Sequence, residues 1–199
     1  MPIDCTGILT ADILFDCANA PIGGIEQNVV LINKEDIDTT ATTTDASNRV
    51  LVTNLQLKPG KTGYLLSGVK QSNGKAWELV KKENAPDKFK HTFSGVIFNP
   101  SAENKLQADS LSKGAKYVAV VEQVWKGTGS EDAFEILGLS SGLELMTMTN
   151  SSKENDNMIM FEISSADGFE EVTMPKTLLD GTYVATKTAF TNKFKQDPN

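Results

Sequence analysis

One histidine, two cysteines and 26 carboxylates are the groups from which this 199-residue chain could build a reactive site. The histidine is His91 and the thiols are Cys5 and Cys17. That inventory is too small for a structural zinc centre built from Cys and His. A Ser-His-Asp triad would have to use His91 as its base. His91 lies in the β-prone run KHTFSGVIF, where alternation puts it on the same sheet face as Phe93, and it reads as a structural or surface histidine rather than a catalytic base. Phosphate cradles are absent: Gly23-Gly24 lacks the GxGxxG spacing, and no GxxxxGK[ST] occurs. The acidic run Glu35-Asp36-Ile37-Asp38 lacks the glycine and terminal glutamate of an EF-hand loop. Glu154 and Asp156, within Ser151 to Asn157, read as part of a polar turn. Trp77 and Trp125 read as core or rim residues; a sugar-stacking platform would need several exposed aromatics, and aromatics make up only 7% of the chain. The expectation is a protein that is not an enzyme and has no catalytic, cofactor-binding or metal-ligating residues.

The bulk properties are those of a globular protein, with 39% apolar and 23% charged residues. The formal charge of −7 disfavours sequence-independent nucleic-acid binding, which needs basic surface. Residues 1–48 carry eight acids against Lys34, a net −7; residues 49–128 carry a net +7; residues 129–199 carry a net −7. Such blocks read either as solvated strand faces or as basic and acidic surfaces that meet on neighbouring copies. The N-terminus has no basic leader region, and Asp4, Asp12 and Asp16 interrupt its apolar stretch, so no export signal is expected. No window reaches the roughly 18 to 20 apolar residues of a membrane span. Cys5 and Cys17 could close a disulfide, but a reducing cytosol would keep them as thiols.

Strand signals dominate the elements that must position these residues. They cover 28–32, 50–57, 61–70, 76–81, 90–98, 116–125, 133–139, 143–149, 158–164 and 171–174. The run KYVAVVEQVW, 116–125, reads as the longest and most central strand. Asn73-Gly74 predicts a hairpin between the runs on either side of it. The Thr-rich stretch 39–48 reads as a loop that neighbours would order. One helix is predicted over about 100–113: Asn99 as N-cap, Pro100 at the first position and Gly114 at the C-terminal stop. Ala102, Leu106, Ala108 and Leu111 would form its narrow apolar stripe. Many short strands with one helix predict a mainly β fold, a sandwich or barrel with one flanking helix. An N-terminal arm, 1–26, precedes a single domain, 27–199.

The segments CTGILTADILFDCANAPIGGIEQNVVLINKEDID, FEILGLSSGLELMTMTN and NMIMFEISS resemble structural proteins of phages of Bacteroides-type hosts. With the strand-rich order and the single capped helix, the chain resembles the tail-tube (major tail) proteins of long-tailed bacteriophages. The resemblance implies a sandwich or barrel with a flanking helix, assembled as rings of six copies stacked head to tail around a strand-lined lumen. It implies a virion tail location after assembly in the host cytoplasm. The implied partners are other copies of the chain and further tail and neck proteins, with DNA only as passing cargo. A neck, terminator or head-decoration protein is an alternative on a similar fold. In a different class, the alternative is a monomeric glycan- or ligand-binding adhesion module.

Overall fold

The structure is a computed structural model that describes residues 9–69 and 71–198. It is mainly β, with two sheets and two helices. The larger sheet contains β1 (Ile25–Asn33), β2 (Thr43–Thr44), β3 (Leu51–Asn54), β4 (Tyr64–Ser67), β7 (Tyr117–Gln123), β8 (Phe134–Leu137) and β11 (Lys176–Leu178). Its order is β2-β3-β11-β8-β7-β1-β4, and only the β11–β3 pair is parallel. The smaller sheet contains β5 (Gly74–Val80), β6 (Lys88–Ile97), β9 (Glu144–Asn150) and β10 (Ile159–Ser164), in the order β5-β6-β10-β9. The helices are α1 (Ala102–Leu111), between β6 and β7, and α2 (Tyr183–Thr191), after β11. No described helix is long and apolar enough to cross a membrane.

The layers follow from β7. Its residues Tyr117 to Glu122 are all buried, because both faces of the strand are covered. Tyr117, Ala119 and Val121 join Val29, Phe93, Leu137, Phe161 and Ile163 in a core between the sheets. Val118 and Val120 join Val30, Ile32, Phe134, Ile136 and Phe190 in a second core beneath α2. The result is three layers: α2, the larger sheet and the smaller sheet. At one crossing in the inter-sheet core only glycine fits. A Cβ on Gly95 would stand 2.6 Å from the Phe161 ring and 2.9 Å from Leu66.

Helix α2 was not expected from the sequence, because its Val and Thr residues are poor helix formers. Tertiary contacts decide the matter. The Thr182 hydroxyl caps it by accepting from the Ala185 amide at 3.2 Å. Tyr183 and Phe190 lie over Phe134 at ring distances of 5.8 and 5.2 Å. After the helix, Lys193 and Phe194 take left-handed φ of 56° and 53°, which turns Phe194 back into the core.

Helix α1 is present where expected but is capped by Ser101, whose hydroxyl accepts from the Asn104 amide at 3.2 Å. Its apolar stripe is narrower than the sequence suggested. Ala108 is buried, whereas Leu106 is 62% exposed. The longest strand is β6, at ten residues, rather than β7.

Three local expectations are overturned. Asn73-Gly74 makes no hairpin: β4 pairs with β1 and β5 pairs with β6, so the chain crosses between sheets here. Asn73 is buried and staples the crossing. Its amide donates to Gln27 O at 3.1 Å, and its carbonyl accepts from the Val96 amide at 3.2 Å. The run 171–174 is no strand; Glu171 makes a single bridge to Phe89. The stretch 39–48 is ordered from within this chain. Asp38 caps the amides of Thr40 and Ala41, and the hydroxyls of Thr43 and Thr53 meet at 2.8 Å.

The charge blocks meet inside a single chain. Of the nine ion pairs among the described residues, six join different blocks: Lys61–Asp36, Lys75–Glu135, Lys82–Glu170, Lys116–Glu144, Lys126–Glu26 and Lys187–Glu122. Lys75 on β5 and Glu135 on β8 join the two sheets. Glu122 lies at the end of β7, 2% exposed, on the face covered by α2. It accepts from Lys126, from Lys187 and from the Tyr183 hydroxyl, the last at 2.8 Å. Burial would raise its pKa, but these three donors outweigh that and hold it below the usual carboxylate range. Glu122→Ala is expected to lower the unfolding free energy by about 1–3 kcal/mol, because it strips a buried acceptor from three donors that keep partial solvent access. Lys187→Ala should lower it by less than about 1 kcal/mol. Urea unfolding of the three proteins measures both.

Candidate functional site

His91 is 2% exposed, beside Phe93 on the inner face of β6. Its Nε2 donates to Thr173 O at 2.9 Å, and its Nδ1 accepts from the Gly138 amide at 3.2 Å. These partners require a neutral ring with the proton on Nε2. Gly138 itself must be glycine: its φ is +76°, and a Cβ would stand 2.6 Å from Leu143. Close by, buried Glu171 accepts from the amides of Ser140 and Ser141 at 2.9 and 2.6 Å. Burial lowers the pKa of His91 and of the neighbouring Lys34 and Lys176, and the charge of Glu171 opposes all three shifts. The cluster ties the 164–176 loop and the 138–142 turn to β6. Both imidazole nitrogens are engaged in that work.

The other residues singled out by chemistry lie apart from it. Asp36 is bonded to Asn33 at 2.9 Å and paired with Lys61 at 2.8 Å. Among the described residues no group of three or more His, Cys, Asp or Glu could hold a metal ion. Residues 151–157 form the expected polar turn, with Asp156 and Asn157 at positive φ. Cys17 is an exposed free thiol, and Cys5 falls outside the described residues. Trp125 donates through Nε1 to Asn19 O at 3.1 Å. Trp77 is 47% exposed, with its ring edge against Phe89 at 5.7 Å.

What the fold leaves open are surfaces. From Leu9 to Gly24 the arm runs along the outside, with Ile13, Leu14 and Phe15 between 75% and 87% exposed. It is fastened near its end: Asn19 to Trp125 and Thr128, and Gly24 O to the Val124 amide. The strand edges β4, β5 and β9 have no described strand on their outer sides. Beside β4, under α1, lies a groove of about 820 Å³ lined by Leu31, Leu66, Ile97, Leu111, Tyr117 and Phe161 among others. The sequence marks the arm, as apolar runs among acids, but not the groove, whose walls come from five distant segments.

No protein-family model, curated protein or solved structure matches the chain.

The His91 bonds predict a pH response. A histidine whose folded pKa is depressed binds its proton more weakly in the folded state. Its contribution is fully present above the unfolded value of 6.5 and falls as pH drops below it, towards the folded pKa. The urea midpoint should therefore fall between pH 7.5 and pH 5. A His91→Gln variant should be less stable at pH 7.5 and should lose this part of the slope.

Proposed function

We propose that this chain is a structural subunit that polymerises through its own strand edges, and that its setting is the tail tube of a long-tailed phage virion. The observation that supports this most is the smaller sheet. Both of its edge strands, β5 and β9, are seven residues long. Soluble monomers usually blunt such edges with prolines, charges or bulges. Neither strand contains proline; their charges are Lys75, turned inward to Glu135, Glu78, opposite Lys90, and Glu144, paired with Lys116; and the one bulge, at Met146, leaves Thr147–Asn150 regular. Trp77 and Leu79 on β5 are each 47% exposed, and Met146 on β9 is 42% exposed. Pairing β5 of one copy with β9 of the next is a head-to-tail contact, which closes into rings or continues as filaments.

In this reading the smaller sheet supplies the lumen strands that the tail-tube resemblance implies. Its outward face carries Lys88, Lys90, Thr92 and Ser94 from β6, Glu78 from β5 and Glu162 from β10, and Lys90 sits opposite Glu78. With two lysines among two carboxylates, that face offers little to hold a passing polyanion. Other tail and neck proteins would meet the ends of the stack. The location would be the virion tail, after assembly in the host cytoplasm. A neck, terminator or decoration protein would share the self-association but not the tubes. An adhesion module would stay monomeric and use Trp77 as a lone stacking surface.

Electron micrographs of the purified protein, with sedimentation, test the proposal. Rings or tubes are expected. The double variant Trp77→Lys with Leu79→Lys should be a folded monomer with an unchanged circular dichroism spectrum, since both side chains are half-exposed. A wild-type protein that remains a 21.5 kDa monomer at high concentration would overturn it.

A further inference from the structure

Between the two sheets a lysine, a carboxamide and a carboxylate converge. The Lys75 ammonium donates to Gln123 Oε1 at 2.8 Å and also to Glu135 Oε2. We propose that this is a site of self-modification: the Lys75 amine displaces ammonia from the Gln123 carboxamide, with Glu135 as proton carrier, and the resulting isopeptide bond ties β5 to β7.

Strand alternation builds the group. Val121 on β7 pairs with Glu135 on β8. Val121, Glu135 and, two residues on, Gln123 therefore share the face turned to the smaller sheet. Val121 itself lies in the inter-sheet core. On the facing layer Lys75 pairs with Phe93 of β6, whose ring is in the same core, so the lysine stem points inward. The pair is largely enclosed, with the Lys75 and Glu135 side chains 18% and 17% exposed. Gln123 is oriented by a bond of its own: its Nε2 donates to Asp132 O at 3.0 Å. That leaves Oε1 for the lysine and fixes which end of the carboxamide it meets. An ion pair between layers needs only a cation and an anion; the carboxamide adds a transferable acyl group. Of the bonded lysine ammoniums among the described residues, Lys75 alone meets a carboxamide and a carboxylate together.

The steps balance. Glu135 accepts a proton from the Lys75 ammonium along their hydrogen bond, which leaves a neutral amine. A turn of the flexible lysine stem carries that amine from the carbonyl oxygen to the adjoining Cδ, within the near-attack distance of about 3–3.5 Å. The amine lone pair forms the Nζ–Cδ bond, and the C=O pair moves to Oε1. Glu135 passes its proton to Nε2 and takes the second amine proton. The carbonyl re-forms, the Cδ–Nε2 bond breaks, and ammonia leaves, carrying that last proton away as ammonium. Glu135 ends ionised, as it began, and no oxidant or reductant is consumed. The bond would join an edge strand of the smaller sheet to the central strand of the larger one.

Mass spectrometry of the full chain under denaturing conditions tests this, since an ion pair leaves no trace there. After incubation of the folded protein, the expected mass is that of the sequence less one ammonia. Trypsin should then release a branched peptide joining 71–81 to 117–126, uncut after Lys75. Protein kept in urea throughout should hold the full sequence mass. So should Lys75→Arg and Glu135→Gln, which retain side chains of similar size. A folded wild-type chain that stays at full mass would overturn the proposal. An ammonia loss that survives Lys75→Arg would also overturn it, because the loss would then lie elsewhere, as in a succinimide at Asn73-Gly74. The branched peptide appearing in Glu135→Gln would overturn the proton role of Glu135. The readout is the mass of a single chain, so its failure leaves the proposed self-association standing.

Discussion

The structure depends on the burial of β7 from both sides. A strand reading YVAVVEQ has no polar face to give to water, so two separate layers must cover it. The smaller sheet covers Tyr117, Ala119 and Val121; α2 covers Val118 and Val120. The same strand carries one charge, Glu122, on the α2 side, and α2 answers it with Tyr183 and Lys187. Across the sheet, Glu135 on β8 plays the corresponding part for the other layer through Lys75 of β5. Each layer is therefore held by apolar burial and fixed in position by one carboxylate, buried Glu122 on one side and partly buried Glu135 on the other.

This arrangement explains the alternating charge blocks. Long-range strand order places lysines of the middle block beside acids from both ends of the sequence, as in Lys61–Asp36 and Lys82–Glu170. Lys82, with two backbone amides, holds Glu170 down to a pKa of about 2 despite its burial. Glu170 lies on the loop that also brings Glu171 to the His91 turn, so one ion pair anchors the segment on which the histidine network depends. Some of the charges that look from sequence like surfaces for a neighbour are paired inside the chain, where nine ion pairs among the described residues engage eight lysines and eight carboxylates.

The class of fold was legible because strands and one capped helix have local signatures. The β7 run was recognisable as central from its length and β-prone residues, and alternation placed His91 on one face with Phe93, without showing that this face is buried. Where the reading failed, tertiary contact outweighed local preference. The sequence YVATKTAFT favours no helix, but Phe134 and Glu122 give it a surface to lie on. Asn73-Gly74 carries a strong hairpin signal, yet the buried Asn73 amide is bonded to strands of both sheets and redirects the chain. The partners of His91 come from residues 138 and 173, and no local pattern announces them. The exposed arm was visible in the sequence as apolar runs too short to make a core. The groove and the open edges needed the strand order.

The proposed self-association rests on the uncovered strand edges of the smaller sheet. Hydrogen–deuterium exchange of the full chain, compared between dilute and concentrated solution, tests it most directly. Pairing of β5 with β9 predicts that amides of these two strands gain protection with concentration, while β7 and the His91 network stay equally protected throughout. Exchange that is the same at both concentrations in all of these segments would contradict it.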